Sequence, residues 1–196
     1  DKIAPEVMED GFVEAAAYGD THLVKEFLDH GHVDVNAQGG MALILAAAEG
    51  HTGTVRLLLD RGADIHAQND SALIAVSGTD HIETMTLLLD RGADIHAEDG
   101  SALGWAVFFG QTDMVKLLLN RGMDIKAYGG FALVLAAEQG DADMVKLLLD
   151  RGVDGHYDDD AAFKMAQRHN HIEAMIVLRE WMKAHPPTVP APLPRP

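Results

Sequence analysis

The 196-residue sequence predicts an all-α fold, a stack of six helix-turn-helix pairs joined by short links. Three observations predict it. The first is a fixed period: Leu57-Leu-Leu-Asp-Arg-Gly-Ala-Asp-Ile-His66 returns at Leu87, Leu117 and Leu147, and Gly62, Gly92, Gly122 and Gly152 stand 30 residues apart. A constant period of roughly 20–50 residues signals stacked units that each bury a face against their neighbours. The second is helical spacing. Val55, Leu58 and Leu59 fall at i, i+3 and i+4, as do Met85, Leu88 and Leu89, and the stripe repeats from Val115 and Val145. The third is the stop signal. Each such stretch ends in Arg, which suits the negative end of the helix dipole, and then Gly, which turns left-handed at little cost.

Each of these outer helices is preceded by a shorter one rich in Ala. Ala42-Leu-Ile-Leu-Ala-Ala-Ala-Glu-Gly50 is the clearest, with copies beginning at Ala72, Ala102 and Ala132. Small residues let such a helix lie close to its neighbours. Asp64, Asp94, Asp124 and Asp154, two residues past the Gly, are placed to bond backbone amides in a tight turn.

The pattern Ala-Leu-x-x-Ala-Ala-x-x-Gly followed by Val-x-Leu-Leu-Leu-x-x-Gly-Ala-Asp-Ile resembles the ankyrin repeat, over roughly residues 10–185. The resemblance implies a solenoid that binds proteins on its concave, inner-helix face. Two departures stand out. The family period is about 33 residues, and the missing three fall between Ala67 and Leu73, where the family has its β-hairpin finger. The Thr-Pro-Leu-His signature is replaced by Met41-Ala-Leu-Ile44, Ser71-Ala-Leu-Ile74, Ser101-Ala-Leu-Gly104 and Phe131-Ala-Leu-Val134. Shortened, stubby turns are therefore expected in place of fingers. The compact repeat is similar to repeats common in bacteria and large viruses.

In chain order, residues 1–9 read as a frayed lead-in, and 11–19 and 22–30 as a first helix pair with a polar outer face, so that 1–38 form an N-terminal capping unit. Four repeats follow within 39–158. Residues 159–185 form a C-terminal capping unit, which gains Lys164, Arg168, Arg179 and Lys183 where it meets water. Residues 186–196 contain prolines at 186, 187, 190, 192, 194 and 196 and read as an extended linker rather than a docking motif.

Composition narrows the function classes. The net charge of −16 argues against nucleic acid and anionic membrane surfaces as partners. It suits a basic protein partner, or simple solubility. There is no Cys, and no apolar run approaches the roughly 18 residues of a spanning helix. The compartment expected is the cytoplasm, with secretion or a periplasmic location left open. No cofactor and no metal is expected. His66, His96 and His156 occupy equivalent turns that lie about 8–10 Å apart in a stack of packed helices, too far to share one ion. His169-Asn-His171 falls at a helix-to-helix turn, unlike a nuclease metal unit. Asp154 to Asp160 lacks the Gly and Glu of a calcium loop and reads as an acidic turn, with Asp160 capping the next helix. No nucleophile constellation, phosphate loop or dinucleotide fingerprint occurs, so no enzyme is expected.

The departures from repetition carry the candidate site. In Gly104-Trp-Ala-Val-Phe-Phe-Gly110, Trp105 stands where other units have Leu45, Ala75 and Leu135. Phe108 and Phe109 replace small or polar residues, and Tyr128 and Phe131 follow. Exposed rings rimmed by Glu49, Asp99, Glu138, Asp70 and Asp158 have the makeup of a binding hot spot. The competing reading places Trp105 and one Phe in the interior, filling space left by Gly78 and Gly104. A protein–protein interaction module, monomeric or a subunit of a hetero-complex, is the function expected. Its rivals are an acidic inhibitor, immunity protein or chaperone covering a basic protein, and a spacer or regulatory domain of a larger assembly.

Overall fold

The structure is a computed structural model and describes residues 4–31 and 33–187. The prolines expected to form a linker lie outside the described residues from position 188 onward. Twelve α-helices and no strand occur among the described residues. They are α1 (Pro5–Ala17), α2 (Thr21–Asp29), α3 (Ala37–Ala48), α4 (Thr52–Asp60), α5 (Ala67–Ser77), α6 (Ile82–Asp90), α7 (Ala97–Phe108), α8 (Thr112–Asn120), α9 (Ile125–Gln139), α10 (Ala142–Asp150), α11 (Tyr157–Arg168) and α12 (Ile172–Ala184). The chain divides into two compact units, residues 1–124 and 125–196.

In the first unit four helix pairs stack. The inner helices α1, α3, α5 and α7 pack in series, as do the outer helices α2, α4, α6 and α8. In the second unit α9 packs on α10 and α11, and α12 on α10 and α11. The core is the apolar stripe of each helix. Val55, Leu58, Met85, Leu88, Val115, Leu118, Val145 and Leu148 are fully buried, and Ala42, Ala46, Ala72, Ala102, Ala106, Ala132 and Ala136 give the inner helices their close approach. One correction applies to the outer stripe. Leu59, Leu89 and Leu119 are only half-buried, while Thr54, Thr84 and Met114 are buried in their place; in the last copy Met144 is buried and Leu149 is buried as expected. The buried stripe therefore begins one residue earlier. Two of the hydroxyls find each other's repeat: Thr21 Oγ1 lies 2.7 Å from Thr54 Oγ1, and Thr52 Oγ1 lies 2.8 Å from Thr84 Oγ1.

The expected lead-in is also corrected. Residues from Pro5 are already helical, with Pro at the first position of α1, where its missing N–H costs nothing.

The shortened finger takes a definite form. In α3, α5 and α7 the regular helix is preceded by three successive left-handed residues: Gln38-Gly39-Gly40, Gln68-Asn69-Asp70 and Glu98-Asp99-Gly100, with φ between 47° and 81°. Asp158-Asp159-Asp160 does the same in α11. The second and third places hold only Gly, Asn or Asp, the residues that tolerate this conformation best. The fifth repeat differs. Gly129 and Gly130 do not take positive φ, and α9 starts at Ile125.

The expected aspartate bond forms at Asp64, Asp94 and Asp154, and at Asp34 besides. Asp34, Asp64, Asp94 and Asp154 each accept the amide N–H two residues on, at 2.8–2.9 Å. Ties between repeats run along the outer edge of the first unit, where Arg61 pairs with Asp29, Arg91 with Asp60 and Arg121 with Asp90, at 2.7–2.9 Å. The arginine read as a dipole partner thus also reaches the preceding repeat.

Candidate functional site

The inner helices expose one face. In α3, α5 and α7 the positions at i, i+3, i+4 and i+7 that are not buried are Met41, Ile44, Leu45 and Ala48; Ser71, Ile74, Ala75 and Gly78; and Ser101, Gly104, Trp105 and Phe108. This is the geometry of one helical stripe left without a covering element in its own unit. On it, Trp105, Phe108 and Phe109 are 46%, 49% and 54% exposed. They touch one another. Trp105 stacks on Phe109 at 5.9 Å with an 18° interplanar angle, and Phe108 meets both rings edge-on, at 6.0 and 5.1 Å.

The placement of Phe109 follows from its neighbour. α5 ends one residue earlier than α3, at Ser77, and the Ser77 and Thr79 hydroxyls donate to the carbonyls of Ile74 and Val76. Gly78 follows as the C-cap, and a Cβ there would come within 2.6 Å of Phe109 Cδ2. So Phe109 does lie over the space left by Gly78, as the competing sequence reading had one ring do, yet it stays half-exposed. Trp105 and Phe109 then wall a shallow apolar groove of about 360 Å³ with Ile44, Ser71, Ile74 and Ala75. Ile44 and Ile74, half-buried residues that line this groove, were missed in the sequence. Their repeat spacing was visible, but they resemble core Leu and Val until burial separates the faces.

The other candidate residues fall as follows. Glu49 is exposed at the C-cap of α3, and Asp99 is exposed in the left-handed turn that opens α7. Tyr128, Phe131 and Glu138 belong to the second unit, all on α9. Phe131 is 60% exposed, Glu138 is exposed and Tyr128 is half-buried. Asp158 is exposed in the left-handed turn of α11. Asp70 is not a rim residue: it is 5% exposed, and its Oδ1 accepts the Asp94 N–H at 2.7 Å and lies 3.1 Å from His66 Nδ1. Burial of this carboxylate is compensated by those two donors.

The histidines have structural partners. Asp70 raises the His66 pKa through their hydrogen bond and then through its charge. His156 Nδ1 lies 2.7 Å from Asp160 and Nε2 lies 2.6 Å from the His185 carbonyl; the bond to Asp160, then that to His185, raises its pKa. Asp160 thus serves His156 rather than capping α11. A second set was missed in the sequence. His51 and His171 lie 3.0 and 2.9 Å from the carbonyls of Ala17 and Glu138, and their rings lie where a Cβ on Gly19 or Gly140 would sit. His81 occupies the same place against Gly50. The signal was a His directly after the glycine position in three of the repeats, at 51, 81 and 171, with Gln111 and Asp141 in the others. Among the described residues no three His, Asp or Glu side chains converge as a metal site, and no helix is long and apolar enough to cross a membrane.

Stacked pairs of an Ala-rich inner helix and a Leu-rich outer helix define a helical repeat protein. A family model described as "Ankyrin repeats (3 copies)" matches residues 11–69, 66–129 and 105–186. The chain belongs to the ankyrin repeat family, whose members are generally protein–protein interaction modules and typically not enzymes. No curated protein matches the chain.

Proposed function

We propose that this protein is a non-enzymatic recognition module that binds a partner protein on the exposed face of its inner helices, with Trp105, Phe108 and Phe109 as anchors. The observation that carries the reading is the three-ring cluster. Its members are half-exposed and in mutual contact, on a helix whose siblings carry Leu or Ala in place of Trp105, Ala, Gly or Glu in place of Phe108, and Glu, Thr or Gln in place of Phe109. Exposed aromatic clusters concentrate binding energy, because they bury a large area at low conformational cost. Glu49 and Asp99 are its acidic neighbours on the inner helices of the first unit; in the second unit, taken by itself, Phe131, Tyr128 and Glu138 of α9 are further partner-binding residues. The partner is a protein rather than nucleic acid or a membrane, and the chain acts as a monomer or within a hetero-complex.

The test is affinity capture with the whole chain and with a Trp105→Ala/Phe108→Ala variant, followed by identification of what each retains. The variant is expected to keep the parent's helical content and to lose the specific partner. If parent and variant capture the same set, the aromatic reading fails, and a spacer role replaces it.

A further inference from the structure

The charge of the chain is not spread evenly. Residues 1–124 hold 21 Asp and Glu against 7 Lys and Arg, a net −14, while residues 125–196 hold 10 against 8, a net −2. Within the first unit, the segregation goes further. Every described Lys and Arg sits on an outer helix or its C-cap: Lys25, Arg56, Arg61, Arg91, Lys116 and Arg121. Five of these six already bind an aspartate there: Lys25 and Arg61 both hold Asp29, Arg91 holds Asp60, Arg121 holds Asp90 and Lys116 holds Asp113. The inner helices α1, α3, α5 and α7 contain no Lys or Arg at all. They carry Glu6, Glu9, Asp10, Glu14, Asp70, Glu98 and Asp99, and Glu49 caps α3.

The apolar groove lies on that side, which holds no Lys or Arg. At one end of it stand Glu98 and Asp99, both exposed. At the other are the C-termini of α3, α5 and α7, capped by Glu49, Gly78 and Phe109. The contact of Phe109 with Gly78, and of Gln68 with Gly39 at the opposite ends, shows that equivalent ends of these helices adjoin. Adjacent helix C-termini add a negative partial charge of about half a unit each. The groove itself is almost wholly apolar, with Ser71 its one polar-side-chain lining residue. An acidic partner would meet repulsion at both ends; a neutral one would leave the carboxylates without a counterpart.

Resting on the reading of this face as a docking site, we propose that its occupant is a cationic amphipathic segment of the partner protein. An aliphatic or aromatic side chain of that segment fills the groove between Ile44, Ile74, Trp105 and Phe109. Flanking Lys or Arg residues meet Glu49 at the helix C-termini and Glu98 and Asp99 at the left-handed turn. Electrostatic complementarity of this kind sets partner choice and association rate, and it weakens with salt.

The test uses the whole chain and three fluorescein-labelled synthetic amphipathic helices of about four turns, identical in their leucines, whose polar face is all Lys and Arg, all Gln, or all Glu. Anisotropy is read at about 50 and about 300 mM NaCl. The cationic peptide is expected to bind about tenfold or more tighter than the Gln peptide, and to lose about tenfold in the higher salt. Trp105→Ala should weaken it by a similar factor. A Glu49→Gln/Glu98→Gln/Asp99→Asn variant should weaken it and flatten the salt dependence. Neutralising three outer-helix carboxylates of the same unit, by Glu26→Gln/Glu83→Gln/Asp113→Asn, should leave its affinity unchanged. Equal weakening by the inner and outer triple variants, or a cationic peptide indifferent to Trp105, overturns the proposal. Failure of the cationic peptide to bind more tightly than the Gln peptide overturns it too. If the Gln or Glu peptide binds best and needs Trp105, the anchor reading survives and only the charge assignment falls.

Discussion

Where the backbone turns left-handed, the identity of a single residue bears directly on local strain. Ten described non-glycine residues take that conformation, nine of them in the turns that open inner helices. An L-residue in that region costs roughly 1–2 kcal/mol, less for Asn and Asp, whose short polar side chains tolerate it. Glu98 is the weakest choice among them: φ is 47°, and its side chain is exposed. Glu98→Gly is expected to raise unfolding stability by up to about 1 kcal/mol, the strain relieved less the extra chain entropy of Gly. Urea denaturation reads it directly, and a loss of stability would mean that Glu98 makes a contribution its conformation hides.

Elements are held by partners that titrate. α11 and the end of α12 are tied through His156, which is set between the Asp160 carboxylate and the His185 carbonyl, with Trp181 at 5.5 Å from it and stacked on His185 at 4.4 Å. A doubly donating imidazolium satisfies both oxygens; a neutral ring donates to only one. His66 plays a related part beside buried Asp70. Both histidines have raised folded pKa values. Their stabilisation is therefore complete below the unfolded value of about 6.5 and lost as pH rises through the folded values. The melting temperature should fall over that interval, and the fall should be smaller in His156→Gln/His66→Gln. Trp181 emission, read in a Trp105→Phe background, should shift over the same interval as the His185 contact loosens. A pH-independent melting temperature between about 6 and 8.5 would remove both histidines from the stability account.

For the molecule as a whole, charge self-repulsion opposes burial. A net −14 on residues 1–124 is only locally relieved by the Arg–Asp ties, since exposed pairs contribute about 0–1 kcal/mol each. Salt weakens those few attractions and also screens many repulsions, and the second effect is the larger where one sign dominates. Raising NaCl from about 10 to about 200 mM should therefore raise the melting temperature. The two tryptophans report one unit each, Trp105 the first and Trp181 the second. The salt effect should be larger for Trp105 emission, read in Trp181→Phe, than for Trp181 emission. An equal response from both would show that charge asymmetry does not govern their stabilities.

The sequence by itself determined the repeat, the two helices of each unit and the family, because a 30-residue period with Leu at helical spacing and Gly at its stops permits few other folds. It also marked Trp105, Phe108 and Phe109 as departures from repetition. Only tertiary structure decided which departures face outward. Phe109 could be assigned to Gly78, Asp70 removed from the surface and Ile44 and Ile74 joined to the groove only once neighbouring repeats were packed, because exposure belongs to the contact between repeats and not to any one of them. The left-handed turns were half-legible. Gly, Asn and Asp recur at their second and third places, but the composition of a turn does not state its hand until the helices on either side fix where the chain must go.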